Sequence, residues 1–73
     1  MTYKAKVRGE ILAANHDGTW EITGFSIEMK VPLYTPLDSV VEARARELHM
    51  RLWGWKTKYV YLHKITSFVE VEE

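Results

Sequence analysis

Three histidines, His16, His49 and His63, are the natural candidates for metal binding or general-base chemistry in this sequence. Their spacing speaks against both. No two of them stand at a helical ligand spacing, and no H-E-x-x-H-like frame occurs. His16 sits beside Asp17 in a turn-like tetrad, where it fills a corner. His49 falls one turn before Trp53 on a helical stretch and is expected to be exposed or stacked. His63 lies beside Lys64 in an extended stretch. Ser26, Ser39 and Ser67 lack a nucleophile-elbow context. Asp38 and Ser39 suit the start of a helix. Gly9, Gly18, Gly24 and Gly54 each fall where the backbone needs them, so they form no phosphate loop. Carboxylates are not paired at neighbouring positions for acid–base work. The chain has no cysteine, which excludes a thiolate nucleophile, a disulfide and a Cys-ligated zinc. The sequence therefore predicts a protein that is not an enzyme, with no cofactor and no metal.

What remains is binding chemistry. Ten Lys plus Arg balance ten Asp plus Glu, for a formal charge of zero. Neutrality counts against a basic coat for nucleic acid or a polybasic membrane anchor. The charges are blocked, however. Residues 1–9 carry +3 and residues 10–28 carry −4, residues 44–64 carry +5, and the tail with Glu70, Glu72 and Glu73 carries −3. Two constellations follow. One is Trp20 with the basic helix end and its surroundings, Arg51, Trp53, Trp55, Lys56 and Lys58. Trp beside Arg is the composition of protein-interface hot spots. The bland alternative makes Trp53-Gly54-Trp55 a plug at a helix end. The other is Lys4, Lys6, Arg8 and Lys30, joined by Tyr59, Tyr61 and His63 if Val60 and Leu62 point to the core; in the reverse phase Tyr59 and Tyr61 are core. Basic and aromatic groups on a β-surface can stack and hold single-stranded nucleic acid. Its alternative is a solvated face with tyrosines lying along lysine stems.

The elements that must position these residues can be read from periodicity. Residues 2–14 and 19–31 predict two strands around Asn15-His16-Asp17-Gly18, a type I turn closed by a glycine bulge. Asn15 is expected to accept from the backbone at the first corner. In strand one Tyr3, Ala5, Val7, Ile11 and Ala13 share one phase, with Lys4, Lys6, Arg8 and Glu10 on the other. Strand two changes phase, from Trp20 and Ile22 to Phe25, Ile27, Met29 and Val31. A bulge near Thr23-Gly24 would reconcile the two. It would pair Ala13 with Trp20 and Ile11 with Ile22. Beyond it, Gly9 faces Phe25, Val7 faces Ile27, Ala5 faces Met29 and Tyr3 faces Val31. On the other face Lys6 opposes Glu28.

A helix is predicted from Pro36 to Trp53, with Thr35 as cap and Gly54 as a left-handed end that folds Trp55 back toward Met50. Its buried stripe would be Leu37, Val41, Ala45, Leu48 and Leu52, with Val40 beside it. A last strand covers Lys56 to Val71. Its alternation is poor, so it carries a bulge near His63–Ser67 or is covered on both sides. The fold class is then α+β, ββαβ, with one helix on one face of a mainly antiparallel three-stranded sheet. Order 2-1-3 is expected. The alternative sets strand three parallel beside strand two.

With 73 residues, one domain over 1–73 is expected, with a core worth only about 3–5 kcal/mol of net stability. A helix of about 27 Å cannot cover hairpin strands of about 43 Å. Ile11, Ala13, Trp20 and Ile22, and the stretch Phe68-Val69-Glu70-Val71, are the ends that would overshoot unless the sheet curls. Met1 opens the chain with no tag-like segment, so a complete gene product is expected. The apolar runs are too short to span a membrane; no signal peptide is visible and a cytoplasmic location follows. The leading expectation is a stoichiometric protein-binding module, such as a phage or mobile-element accessory protein that inhibits or adapts host machinery. A nucleic-acid-binding module and a structural subunit that homodimerises through an edge strand are the alternatives.

Overall fold

A computed structural model describes residues 2–71. In chain order it contains β1 (Thr2–Asn15), β2 (Trp20–Pro32), α1 (Leu37–Trp53) and β3 (Thr57–Val71). β1 is the central strand and pairs antiparallel with both neighbours, giving the order β2-β1-β3. The helix packs on one face. This is the ββαβ, α+β arrangement with strand order 2-1-3. Of the acidic tail, Glu72 and Glu73 lie outside the described residues.

The hairpin turn sets the register. The Gly18 N–H donates to the Asn15 carbonyl (3.1 Å) and the Asn15 N–H to the Thr19 carbonyl (2.9 Å). Gly18 has φ +88°, the left-handed conformation that glycine adopts without strain. The side chain that steadies the turn is Asp17 rather than Asn15. Its Oδ1 accepts from the Thr19 N–H (2.9 Å) and hydroxyl (2.6 Å). Those bonds hold the Asp17 carboxyl below its usual 3.8.

From Asn15–Thr19 the pairing runs without a break to Thr2–Pro32. Gly9–Phe25, Val7–Ile27, Ala5–Met29, Tyr3–Val31 and Lys6–Glu28 pair as expected. The expected bulge at Thr23-Gly24 is absent. Trp20 pairs with Ala14, and Ile22 with Leu12. A one-residue difference in register moves a side chain to the other face of a sheet. Trp20 and Ile22 therefore stand on the outer face, away from the helix. Gly9 has a steric reason: a Cβ there would collide with the Lys64 carbonyl and the Phe25 ring.

The irregularities fall instead in β3, where the pairing with β1 skips Thr66, His63 and Lys58. Two of the three lie in the stretch where the alternation fails. They turn Val60, Leu62, Ile65 and Phe68 toward the helix side and Tyr59 and Tyr61 outward.

The helix starts one residue later than expected, and Pro36 rather than Thr35 is the cap residue, with no side-chain cap bond. The Pro36 carbonyl accepts from Val40 N–H (3.3 Å), so the backbone itself closes the first turn. Gly54 is right-handed (φ −59°) and donates to the Met50 carbonyl. The chain thus continues to coil through a further turn, with Lys56 N–H bonded to the Trp53 carbonyl (3.0 Å). Trp55 is left exposed instead of folding back. The buried stripe is Val41, Ala45 and His49, flanked by half-buried Leu37 and Leu48. Leu52 is exposed, because the buried stripe advances by fours from Val41 through Ala45 and His49 to half-buried Trp53.

The inner face holds two core clusters, Ala5, Val7, Ile27, Val31 and Val41 toward one end and Ile11, Ala45 and Val60 toward the other. Phe25 packs against both. The helix does reach Ile11 and Ala13, which are fully buried. At the opposite end Phe68 meets Tyr3 edge-on (6.1 Å) but stays partly exposed, and Val69 is exposed.

Candidate interaction surfaces

The outer sheet face divides into two halves along the strands. Near the hairpin turn, Ile22–Leu12–Tyr61 and Trp20–Ala14–Tyr59 form two cross-strand rows on β2, β1 and β3. All six side chains are apolar or aromatic. Trp20 and Ile22 are 59% and 58% exposed, Tyr59 and Tyr61 41% and 44%. The small Ala14 lets the Trp20 ring stack on Tyr61 (6.2 Å, 25° between planes). Tyr61 meets Tyr59 at 4.5 Å, and the Arg46 guanidinium lies 4.4 Å above the Tyr59 ring. The result is a pre-assembled apolar grid that no element of the fold covers. Exposed contiguous apolar surface of this kind marks interaction sites.

Farther from the turn the same face carries Lys4, Lys6, Arg8, Lys30 and Lys64, with Glu10 and Glu28 among them. Lys4 bonds Glu28 (2.9 Å), and Lys64 lies 3.6 Å from Glu10. The second sequence constellation is thus brought to one face but split. Its cations occupy one half and its tyrosines the other, and His63 sits exposed at a bulge between them. Arg8 and Leu12 are about 13 Å apart along β1.

The two edges of the sheet differ as well. Even-numbered β1 residues bond β3 and odd-numbered ones bond β2, because antiparallel pairs alternate from the bonded Asn15–Thr19 pair. The outward groups of β3 near its middle are met by the helix. Arg46 Nε donates to the Val60 carbonyl (3.2 Å), and the Leu62 N–H donates to Glu42 Oε2 (2.8 Å). Arg46 and Glu42 are themselves joined (3.1 Å). β2 has no such cover. Beside it, between α1 and the inner face, lies a groove of about 230 Å³ lined by Ile11, Phe25, Ile27, Leu48, Leu52 and Trp53 among others.

The first sequence constellation is dispersed. Trp20 is on the outer face. Arg51 projects from the helix and pairs with Glu47 (2.8 Å). Trp53 is half-buried against His49 (4.7 Å). Trp55 is 79% exposed, with Lys56 Nζ 5.9 Å from its ring centre. Lys56 turns to Glu21 (3.3 Å), and its carbonyl accepts from His16 N–H (2.9 Å), which ties the α1–β3 turn to the hairpin tip. Lys58 is exposed at a bulge.

A polar chain missed by pattern reading lies beneath that tie. Asn15 Nδ2 donates to Thr19 Oγ1 (3.0 Å) and Glu21 Oε1 (3.3 Å), so its Oδ1 accepts from the Thr57 hydroxyl (3.3 Å). Thr57 has one proton to give, so its oxygen accepts from His49 Nε2–H (3.2 Å). His49 thereby carries a proton on Nε2, and burial lowers its pKa below the usual 6.5, with the Lys56 charge adding to the effect. The signal in the sequence was Asn15 and Thr57, polar residues in the inward phase of their strands. The chain is closed on itself: no buried side-chain donor or acceptor among the described residues lacks a partner.

Among the described residues no group of His, Asp and Glu is arranged to hold a metal, and no helix is long and apolar enough to cross a membrane. Compared with known proteins, the chain matches no family model, no curated protein and no solved structure.

Proposed function

We propose that this protein is a small, non-enzymatic binding module that docks a protein partner on the apolar grid of its outer sheet face. One observation carries the reading: Trp20, Ile22, Tyr59 and Tyr61 form a contiguous, ring-stacked surface on the face opposite the helix. Tryptophan and tyrosine held rigid by neighbours are the side chains that anchor protein interfaces. Glu10 and Lys64 on the outer face and Arg46 over Tyr59 flank the patch with mixed charge, as a polar rim does. A module of this size acts by stoichiometric binding, and an accessory protein of a phage or mobile element, inhibiting or adapting a larger machine inside the cell, suits it.

The test is partner binding against stability in one variant series. Trp20→Ala and Ile22→Lys are expected to abolish binding while remaining folded at 25 °C. Trp55→Ala, on a separate surface, is expected to weaken it less. If the first two variants unfold, the grid is core and the reading is wrong.

A nucleic-acid reading has its own observation, namely that the cations and the rings share one face. Single-stranded oligonucleotides would then bind with a steep salt dependence, and Lys6→Glu with Arg8→Glu would remove binding. Absence of any affinity at low salt eliminates this second reading.

A further inference from the structure

The free edge of β2 is long and uncovered. A long edge strand exposes a row of unpaired N–H and C=O groups, and natural proteins blunt such edges with bulges, inward charges or a covering element. The β3 edge has bulges and the Arg46–Glu42 cover. β2 has 13 residues and no bulge. Its outward backbone groups belong to Trp20, Ile22, Gly24, Ser26, Glu28 and Lys30, by the alternation from the bonded Asn15–Thr19 pair. No backbone or side-chain group of the described residues outside β1 bonds them.

We propose that β2 pairs antiparallel with β2 of a second copy, about a two-fold axis at Ser26, to make a six-stranded sheet. The occupant follows from the strand's own sequence. Ser26 is the midpoint of Trp20–Pro32, so this register uses every residue of the strand. On the outer face Gly24 opposes Glu28, Ile22 opposes Lys30 and Trp20 opposes Pro32. On the inner face Phe25 opposes Ile27 and Thr23 opposes Met29. No like charges meet. Centring the axis on Glu28 or Lys30 would set identical charges face to face, which is destabilising. The full register forms roughly a dozen N–H···O bonds over a length of about 43 Å.

The groove beside β2 supports the same occupant. Its floor of Phe25 and Ile27 ends at the bare edge, and the partner's Ile27 and Phe25 continue that floor without interruption. The net charge of the chain is zero, so two copies do not repel. A two-fold contact is isologous, and it closes at the dimer instead of growing into a fibre. The two apolar grids come to lie at opposite ends of the enlarged outer face, each still open. Partner docking and self-pairing are therefore separable.

Because the chain has no cysteine, the axis can be read directly. A bonded antiparallel pair places its Cα atoms about 5.5 Å apart, which suits a disulfide. Oxidised Ser26→Cys is expected to become a covalent dimer at concentrations where Ser39→Cys, exposed on the helix, stays monomeric. Wild type is expected to sediment at twice its 8.6 kDa. Ser26→Pro removes only an outward N–H, which an edge strand tolerates, and is expected to be a folded monomer. A wild-type monomer at high micromolar concentration, equal cross-linking of both cysteine variants, or a folded dimer in Ser26→Pro each overturns the proposal. Loss of dimerisation with partner binding intact would leave the docking reading standing.

Discussion

The last turns of the hairpin carry apolar residues on both faces of the sheet, and the two faces have different fates. On the inner face Ile11, Ala13 and Val60 lie under α1 and are almost wholly removed from water. On the outer face Leu12, Ala14, Trp20, Ile22, Tyr59 and Tyr61 have no helix or strand above them, only the Arg46 guanidinium over Tyr59. The same strands thus present a paired core surface and an unpaired one a few ångströms apart. The fold already satisfies its need for burial on one side. The rings on the other side are stacked on one another but remain open to water. Their arrangement is the observation on which the proposed docking rests.

Substitutions can break this contrast, and they rank by face. Ile11→Ala on the inner face is expected to cost about 2–5 kcal/mol. That is comparable to the roughly 3–5 kcal/mol a core of this size supplies. Thermal or urea unfolding should show the variant largely unfolded at 25 °C. Arg46→Ala lies between the faces. It leaves the Val60 carbonyl at the β3 edge without its donor and removes the guanidinium from Tyr59, for an expected loss of about 1–3 kcal/mol. A milder loss is expected from acid. Burial holds the His49 pKa below 6.5 in the folded state, so as the pH falls the unfolded chain takes up this proton first. Stability from this residue is present above about pH 6.5 and falls as the pH drops below it. His49→Gln should flatten that part of a melting-temperature profile between pH 7 and 5. If the acid limb is unchanged, His49 is not its source.

The smallest stability effects are expected on the outer face. Trp20→Ala loses its stack on Tyr61, worth about 0.5–1.5 kcal/mol. Ile22→Ala should stay within about 0.5 kcal/mol of wild type. Equal costs for Ile11→Ala and Ile22→Ala would erase the distinction between the faces.

The sequence made most of the scaffold legible. The turn tetrad, the far half of the hairpin register, the strand order and the irregular stretch of β3 follow from periodicity and turn chemistry. The grid was the part misread, and the reason is physical. Trp20 and Ile22 were assigned inward because large apolar residues usually are, and a bulge at Gly24 was needed to do it. The turn already fixed the pairing: a type I turn with a glycine bulge sets Asn15 against Thr19, and every later pair follows. The confirming signal was Ile11-Leu12-Ala13-Ala14, apolar in both phases, which supplies an outer partner for Ile22 and Trp20. At the helix end the Trp-Gly-Trp segment suggested a left-handed stop. Gly54 instead stays helical, since the chain must run on to place Lys56 against the hairpin tip and Glu21.

The central claim is that the outer grid is a partner surface, and site-specific photo-cross-linking tests it most directly. A photoreactive residue is placed at Ile22, or at the exposed helix position Ser39, in protein expressed in the cells that encode it. The expected result is one stoichiometric adduct of defined mass from position 22, none from position 39, and loss of that adduct when Trp20→Ala is added. The same adducts from both positions, or none from position 22, would contradict the account.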